Sequence, residues 1–260
     1  MVRFLIFNYW INFIWNRKIR NLTIIYKHYY TNNIMYFISP PFGNYLNLEK
    51  CMSIGGSYTL QPRPGLMKQI WFTLRYNSTY GGWTNKIGIR NKGIHYGLQQ
   101  NNDITSIAVL SVHDIPQFLN IIPQHRNIEI NISCPNLNKE LIDKDIHKFL
   151  NPQRQWCILK LSPLCKQEKI DEYYKMGFRQ FHCSNTIPIH EGGLSGKSIM
   201  SYNDFIIPYI KQLKDTTIIG GGGITSYKDI EYYKNLGAHH YSFSSVCFCP
   251  YLFYYLYKSL

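Results

Sequence analysis

A chain of 260 residues with 45% hydrophobic and 17% charged side chains can bury a substantial core, which excludes a disordered polymer and favours one large domain over two small ones. Its 28 lysines and arginines against 15 acids give a formal net charge of +13, suited to anionic partners, but the cations are scattered without a nucleic-acid-type run, so no nucleic-acid role is expected. The seven cysteines, at positions 51, 134, 157, 165, 183, 247 and 249, are odd in number and lack metal-ligand spacing, which points to reduced thiols in a cytoplasmic compartment and to no metal site.

Residues 1–34 form a basic, aromatic-rich extension in which Arg3, Arg17, Lys18, Arg20 and Lys27 stand without an acid among apolar runs too interrupted to span a bilayer. Three readings stay open for it: a mitochondrial-type presequence, an interfacial anchor giving peripheral membrane contact, or a leader ahead of translation from Met35. Residues 35–260 read as one domain. Its first part, before Ile107, is rich in Gly, Pro and aromatics and reads as the first strands joined by long loops.

From Ile107 onward, short β-rich runs alternate with stretches of helical length. The pattern predicts strands at Ile107 to Val112, Ile128 to Ile132, Cys157 to Leu161, Gln180 to Cys183, Thr217 to Gly220 and His240 to Phe243. Helices are predicted at Glu168 to Met176 and Tyr227 to Leu236. They are stopped by Gly177 and Gly237, and the second is started by Ser226 with Asp229 three residues on. Such alternation means parallel strands with crossover helices, in a barrel or an open sheet, and the chain has the length of a barrel.

In a barrel the chemistry gathers at the C-terminal strand ends, where this sequence places unusual polar groups. Asn131, Ser133, Cys134, Pro135 and Asn136 follow one strand, Lys160 ends the next, and Asn185 and Thr186 follow another. Cys134 can serve as a base or nucleophile, or simply fill a small buried space. Lys160 is a surface lysine or an amine held against an anion or an electron-rich ring. Gly220 to Gly223, between a strand and a helix, reads as a phosphate-binding turn or as a flexible one. Ser244 and Ser245 after the last strand favour the former, because barrel phosphate sites commonly use the last two loops.

The run Glu129 to Asn136 (Glu-Ile-Asn-Ile-Ser-Cys-Pro-Asn) resembles the catalytic-base segment of the dihydroorotate dehydrogenases. Lys160 in Leu-Lys-Leu-Ser-Pro, Ser184-Asn185-Thr186, Gly192 to Lys197, Ile218 to Ile224 and Gly237-Ala238 follow in the family order. Dihydrouridine synthases share the barrel, the flavin and a cysteine, but match these motifs less well. The resemblance implies a (β/α)8 TIM barrel of the FMN-binding type that oxidises dihydroorotate to orotate in pyrimidine (UMP) synthesis. It implies Cys134 as the base, typical of the soluble class, and substrate contacts at Asn85, Ile87, Gly88, Ile89, Asn131, Asn136, Asn185 and Thr186. Contacts to flavin mononucleotide are implied at Gly43, Ser57, Asn131, Lys160, Ser195, Gly196, Gly222, Gly223, Ser244 and Ser245.

Soluble relatives pair as dimers, so a homodimer is expected; fumarate, a quinone and a nicotinamide reached through a partner subunit all stay open as electron acceptor. The pattern departs at Ile54 to Thr59, where the family lysine expected near Gly56 is absent. Weaker binding of the substrate carboxylate follows unless Lys86 or Arg90 supplies the charge. The rival expectations are a flavin-binding barrel with lost or altered turnover, and a basic membrane-associated interaction protein.

Overall fold

The computed structural model describes residues 34–132, 145–183 and 185–260. Their strands are β1 (Tyr36–Ile38), β2 (Cys51–Tyr58), β3 (Arg75–Asn77), β4 (Gly82–Asn85), β5 (Ile104–Ile107) and β6 (Ile128–Asn131), followed by β7 (Cys157–Leu161), β8 (Gln180–Cys183), β9 (Ile187–Ile189), β10 (Gly192–Gly196), β11 (Thr217–Gly221) and β12 (His240–Phe243). The helices are α1 (Leu66–Thr73), α2 (Ile94–Gln99), α3 (Asp114–Ile121), α4 (Gln167–Lys175), α5 (Asn203–Lys211), α6 (Tyr227–Leu236) and α7 (Pro250–Ser259).

Strands β1, β2, β5, β6, β7, β8, β11 and β12 close in that order into a parallel barrel, with β12 pairing back onto β1. The chain is thus a (β/α)8 barrel. Inside it, Met35, Phe37, Ile54, Ile104, Trp156, Ile158 and Ile219 form one buried cluster, with the Phe37 ring edge-on to Trp156. Strand side chains alternate faces, so the residue two further on shares the interior. Phe37 is followed in this way by Ser39, Ile104 by Ser106 and Ile158 by Lys160. The barrel interior therefore turns from apolar to polar toward the C-terminal ends of its strands. Intervening residues such as Ile130, Leu159, Phe181 and Ile218 are fully buried on the outer face, which is why these strands read as continuous apolar runs.

The expected strands recur as β6, β7, β8, β11 and β12 with ends shifted by at most one residue, and the helix expected at Glu168 to Met176 runs one residue earlier. The strand expected at Ile107 to Val112 is instead β5, ending at Ile107. Ala108 and Val109 are buried beyond it, with the Ala108 N–H donating to the Tyr58 carbonyl. The Leu110 and Ser111 N–H groups turn away to the Asp114 carboxylate at the start of α3. The apolar run thus continues as a loop, because β2, on one side of β5, ends at Tyr58 opposite Ile107.

The segment before Ile107 holds more than first strands and loops. Its β3 and β4 join β9 and β10 in a four-stranded antiparallel sheet of order β3-β4-β10-β9. Both halves of that sheet sit in connections leaving C-terminal strand ends, so it belongs to the mouth of the barrel.

Helix α6 begins with the capping box expected from Ser226 and Asp229 and ends at Gly237 in the left-handed region. One Asp229 oxygen accepts hydrogen bonds from the N–H groups of Thr225 (2.8 Å) and Ser226 (2.9 Å), and the other meets the Lys197 ammonium at 2.7 Å. Burial opposes the Asp229 charge, but these partners outweigh it and hold the carboxyl below its ordinary range. Asp229→Ala should cost about 1–2 kcal/mol in chemical denaturation, the usual loss when a helix start is uncapped. Among the described residues no helix is long and apolar enough to cross a membrane.

Candidate active site

The end of β6 organises the mouth. The Asn131 side-chain amide donates to Ser57 Oγ at 3.0 Å, Ser57 Oγ lies 2.8 Å from Ser106 Oγ, and the Asn185 amide donates to Asn131 Oδ1 at 3.1 Å. Asn185 Oδ1 in turn accepts from the Thr186 N–H at 2.8 Å. Four of the expected site residues, Ser57, Asn131, Asn185 and Thr186, are thereby one connected group drawn from three strand ends.

Asn85 ends β4 and reaches the same place through the accessory sheet. It pairs with Gly193, whose carbonyl accepts from the Asn85 amide at 3.4 Å. A Cβ on Gly193 would stand 2.9 Å from Thr186 Oγ1, so glycine lets the sheet close onto the barrel. The following turn carries Gly88 and Ile89 at φ values of 63° and 53°. A β-branched residue in the left-handed region is held there against its preference. The hold comes from the Asn91 amide, which donates to the Ile89 carbonyl at 2.9 Å. Cys134 and Asn136, with Ser133, Pro135 and Ser184, lie outside the described residues.

Directly under Asn131 is a buried polar layer in which Lys160 was expected but Glu129, His182 and Ser106 were not. Glu129, His182 and Ser106 are fully buried and Lys160 nearly so. One Glu129 oxygen accepts from Ser106 Oγ at 2.8 Å and lies 3.7 Å from the Lys160 ammonium; the other is 2.6 Å from His182 Nδ1. Burial alone would raise the Glu129 carboxyl, but the Lys160 charge, with the His182 and Ser106 hydrogen bonds, holds it well below its ordinary range. For His182, burial and then the Lys160 charge push the imidazole below its ordinary range and outweigh Glu129. We therefore assign a neutral ring whose Nδ1–H donates to Glu129, which leaves Nε2 without a partner among the described residues.

Lys160 is thus no surface lysine, and the anion that compensates it is Glu129. The available signal was Glu129 two positions before Asn131 in an otherwise apolar strand, which puts both on the barrel interior. His182 gave only a lone imidazole in an apolar run.

Opposite lies the glycine side of the mouth. Gly222 and Gly223 have φ values of 89° and 76°. A Cβ on Gly223 would come 2.9 Å from the Gly196 carbonyl and 2.8 Å from Lys197 Cα, so Gly196, Gly222 and Gly223 are neighbours. Ser195 Oγ donates to the Trp83 carbonyl at 3.2 Å, and Ser244 Oγ to the Pro40 carbonyl at 3.0 Å, while Ser245 opens the 3-10 turn that follows. Because Asp229 takes the Thr225 and Ser226 N–H groups, the first turn of α6 is capped internally. Gly43 is explained by packing: a Cβ there would sit 2.1 Å from the Ile54 carbonyl.

The absent lysine also has a physical reason. Gly56 has φ 129°, and a Cβ on it would stand 2.4 Å from the Ser106 carbonyl, so no side chain fits. Neither expected substitute takes its place: the Arg90 guanidinium donates to the Pro64 carbonyl at 3.3 Å, and Lys86 is exposed. The thiols of Cys51, Cys157, Cys183 and Cys247 are buried, as small packing residues would be.

No family profile matches the sequence. Over 201 residues, 64% of its length, the chain is 25% identical to the catalytic subunit of dihydroorotate dehydrogenase B (NAD(+)) from Petrotoga mobilis (strain DSM 10674 / SJ95), and covers 67% of that protein. Two crystal structures of dihydroorotate dehydrogenase from Eimeria tenella share the fold. The one in complex with ferulenol superposes with a TM-score of 0.62 at 13% identity, covering 86% of this chain and 80% of that one. The ligand-free one gives 0.61 at 14% identity, covering 79% and 75%.

Proposed function

Since this chain is a divergent relative of the dihydroorotate dehydrogenases, we propose that it binds flavin mononucleotide and oxidises dihydroorotate to orotate, the redox step of pyrimidine synthesis. The observation that carries the reading is the convergence of Asn85, Asn131, Asn185 and Thr186 on one mouth above a buried lysine. A primary amide offers two donors and an acceptor in a plane, which matches the edges of a pyrimidine ring.

The residues fit the cofactor. Gly222 and Gly223 take positive φ values in the turn after β11, beside Gly196, a glycine turn of the kind whose backbone N–H groups can meet a phosphate; Lys160 is a buried cation near a strand end, and Ser57, Ser195, Ser244 and Ser245 bring hydroxyls at or after strand ends. Gly43 shapes the loop beside them. When bound, the flavin supplies the acceptor for the C6 hydride. Cys134 takes the C5 proton, Asn131 and Asn185 orient the ring, aided by Asn136 and the Ile87-Gly88-Ile89 turn, and Glu129 keeps Lys160 in register.

The test is the visible spectrum of the purified protein during anaerobic titration with dihydroorotate. Bleaching of the yellow bands is expected. Bands that persist would overturn the turnover and leave a flavin-binding barrel, a second reading favoured by the closure of Gly56 to any charged side chain. Failure to take up flavin mononucleotide would overturn both.

A further inference from the structure

Helix α1 carries apolar side chains on its outward face as well as its inward one. None of its residues is buried, and its outward face carries Met67, Trp71 and Phe72 at 52%, 53% and 65% exposure, while Leu66, Ile70 and Leu74 on the other side are only half-covered. Met67 and Trp71, and likewise Lys68 and Phe72, are four residues apart, so they form two adjoining rows on one face. A contiguous apolar patch of this kind marks an interaction surface rather than a scatter of exposed residues.

What surrounds it is cationic. The chain has no acid between Glu49 and Asp103. At the end of α1 the Arg75 guanidinium donates to the Trp71 carbonyl, and the Lys86 N–H donates to Thr73 Oγ1. At its start the Arg90 guanidinium donates to the Pro64 carbonyl, and Arg63 pairs with Asn91. The apolar rows thus run between two basic ends, with Lys68 inside them. Aromatic and thioether side chains projecting outward with lysine and arginine at the rim are the composition of an element that lies in a lipid interface.

We infer that the outward face of α1 seats the protein on an anionic lipid surface, with Met67, Trp71 and Phe72 entering the headgroup–acyl boundary and the flanking cations meeting lipid phosphates. Because α1 lies in the connection leaving the C-terminal end of β2, the contact is on the mouth side of the barrel. It does not depend on the flavin reading.

The experiment is vesicle sedimentation of the full chain, with phosphatidylcholine alone or mixed with phosphatidylglycerol. Retention by the anionic vesicles, weakened by salt, is expected. Trp71→Ser/Phe72→Ser should reduce it by about tenfold or more, since interfacial binding scales with buried apolar area. Circular dichroism should be unchanged, because both side chains are more than half exposed.

Equal retention of the variant would overturn the inference and move the anchor elsewhere, residues 1–34 included. An equal loss in Tyr251→Ser/Tyr255→Ser, on the exposed face of α7, would reduce the effect to unspecific stickiness and overturn it too. So would a dimer, seen by sedimentation velocity, that the α1 variant abolishes while wild type ignores vesicles: a second copy would then be what covers this face.

Discussion

Cys134→Ala is expected to slow reduction of the bound flavin by dihydroorotate by about 10²-fold or more while leaving flavin uptake unchanged, the usual consequence of removing a general base. In sequence the residue comes three positions after the end of β6, which is fixed by the hydrogen bonds from Asn131 to Ser57 and from Asn185 to Asn131. No buried cysteine can take over. Burial pushes the Cys51 and Cys157 thiols up to about 12 and raises Cys183 and Cys247 as well, so these remain protonated at neutral pH. Stopped-flow measurement of flavin bleaching reads the step directly, and a variant that bleaches at nearly the wild-type rate would remove Cys134 from the mechanism.

The second large effect is on stability. Glu129→Leu takes one carboxylate from three partners at once: the Ser106 hydroxyl, the His182 Nδ1–H and the Lys160 ammonium. The ammonium is then left charged in the barrel with no compensating anion among the described residues. Breaking a buried pair in this way costs about 3–5 kcal/mol, whereas Glu129→Leu/Lys160→Met, which removes both charges, should recover much of the loss. Urea denaturation of the two variants decides it; a single variant within about 1 kcal/mol of wild type would show that the layer carries little.

Acid makes the same point. The carboxyl normally titrates at 4.5 and is held well below that in the fold, so the folded state binds fewer protons between the two values. The stabilisation from Glu129 is complete above about pH 4.5 and lost as the pH falls toward the lowered value, and Glu129→Leu should lack that part of the acid response.

The amino-acid sequence by itself determined the features whose causes are local. Strands β7, β8 and β12 coincide with short β-rich runs, and α6 with a helix bounded by its own capping box and by Gly237. Periodicities of two and of about four residues, and caps three residues away, are written within one segment. The family resemblance, through the ordered motifs and an earlier loop, also named Asn131, Asn185, Thr186 and Lys160, and Asn85.

Tertiary structure alone decided the rest, because its causes are pairings between distant segments. Gly192 to Gly196, given by the sequence only as part of a family motif, is a strand, since β10 pairs with β4, with Asn85 and Gly193 108 positions apart. The end of β5 was set by the end of β2 beside it rather than by its own apolar run. Glu129, Lys160 and His182 come from three strands and meet only when β6, β7 and β8 pair side by side, so no spacing announced that a carboxylate would neutralise the lysine. The exclusion of a side chain at Gly56 likewise depends on the Ser106 carbonyl, brought within 2.4 Å of its missing Cβ by the pairing of β2 with β5.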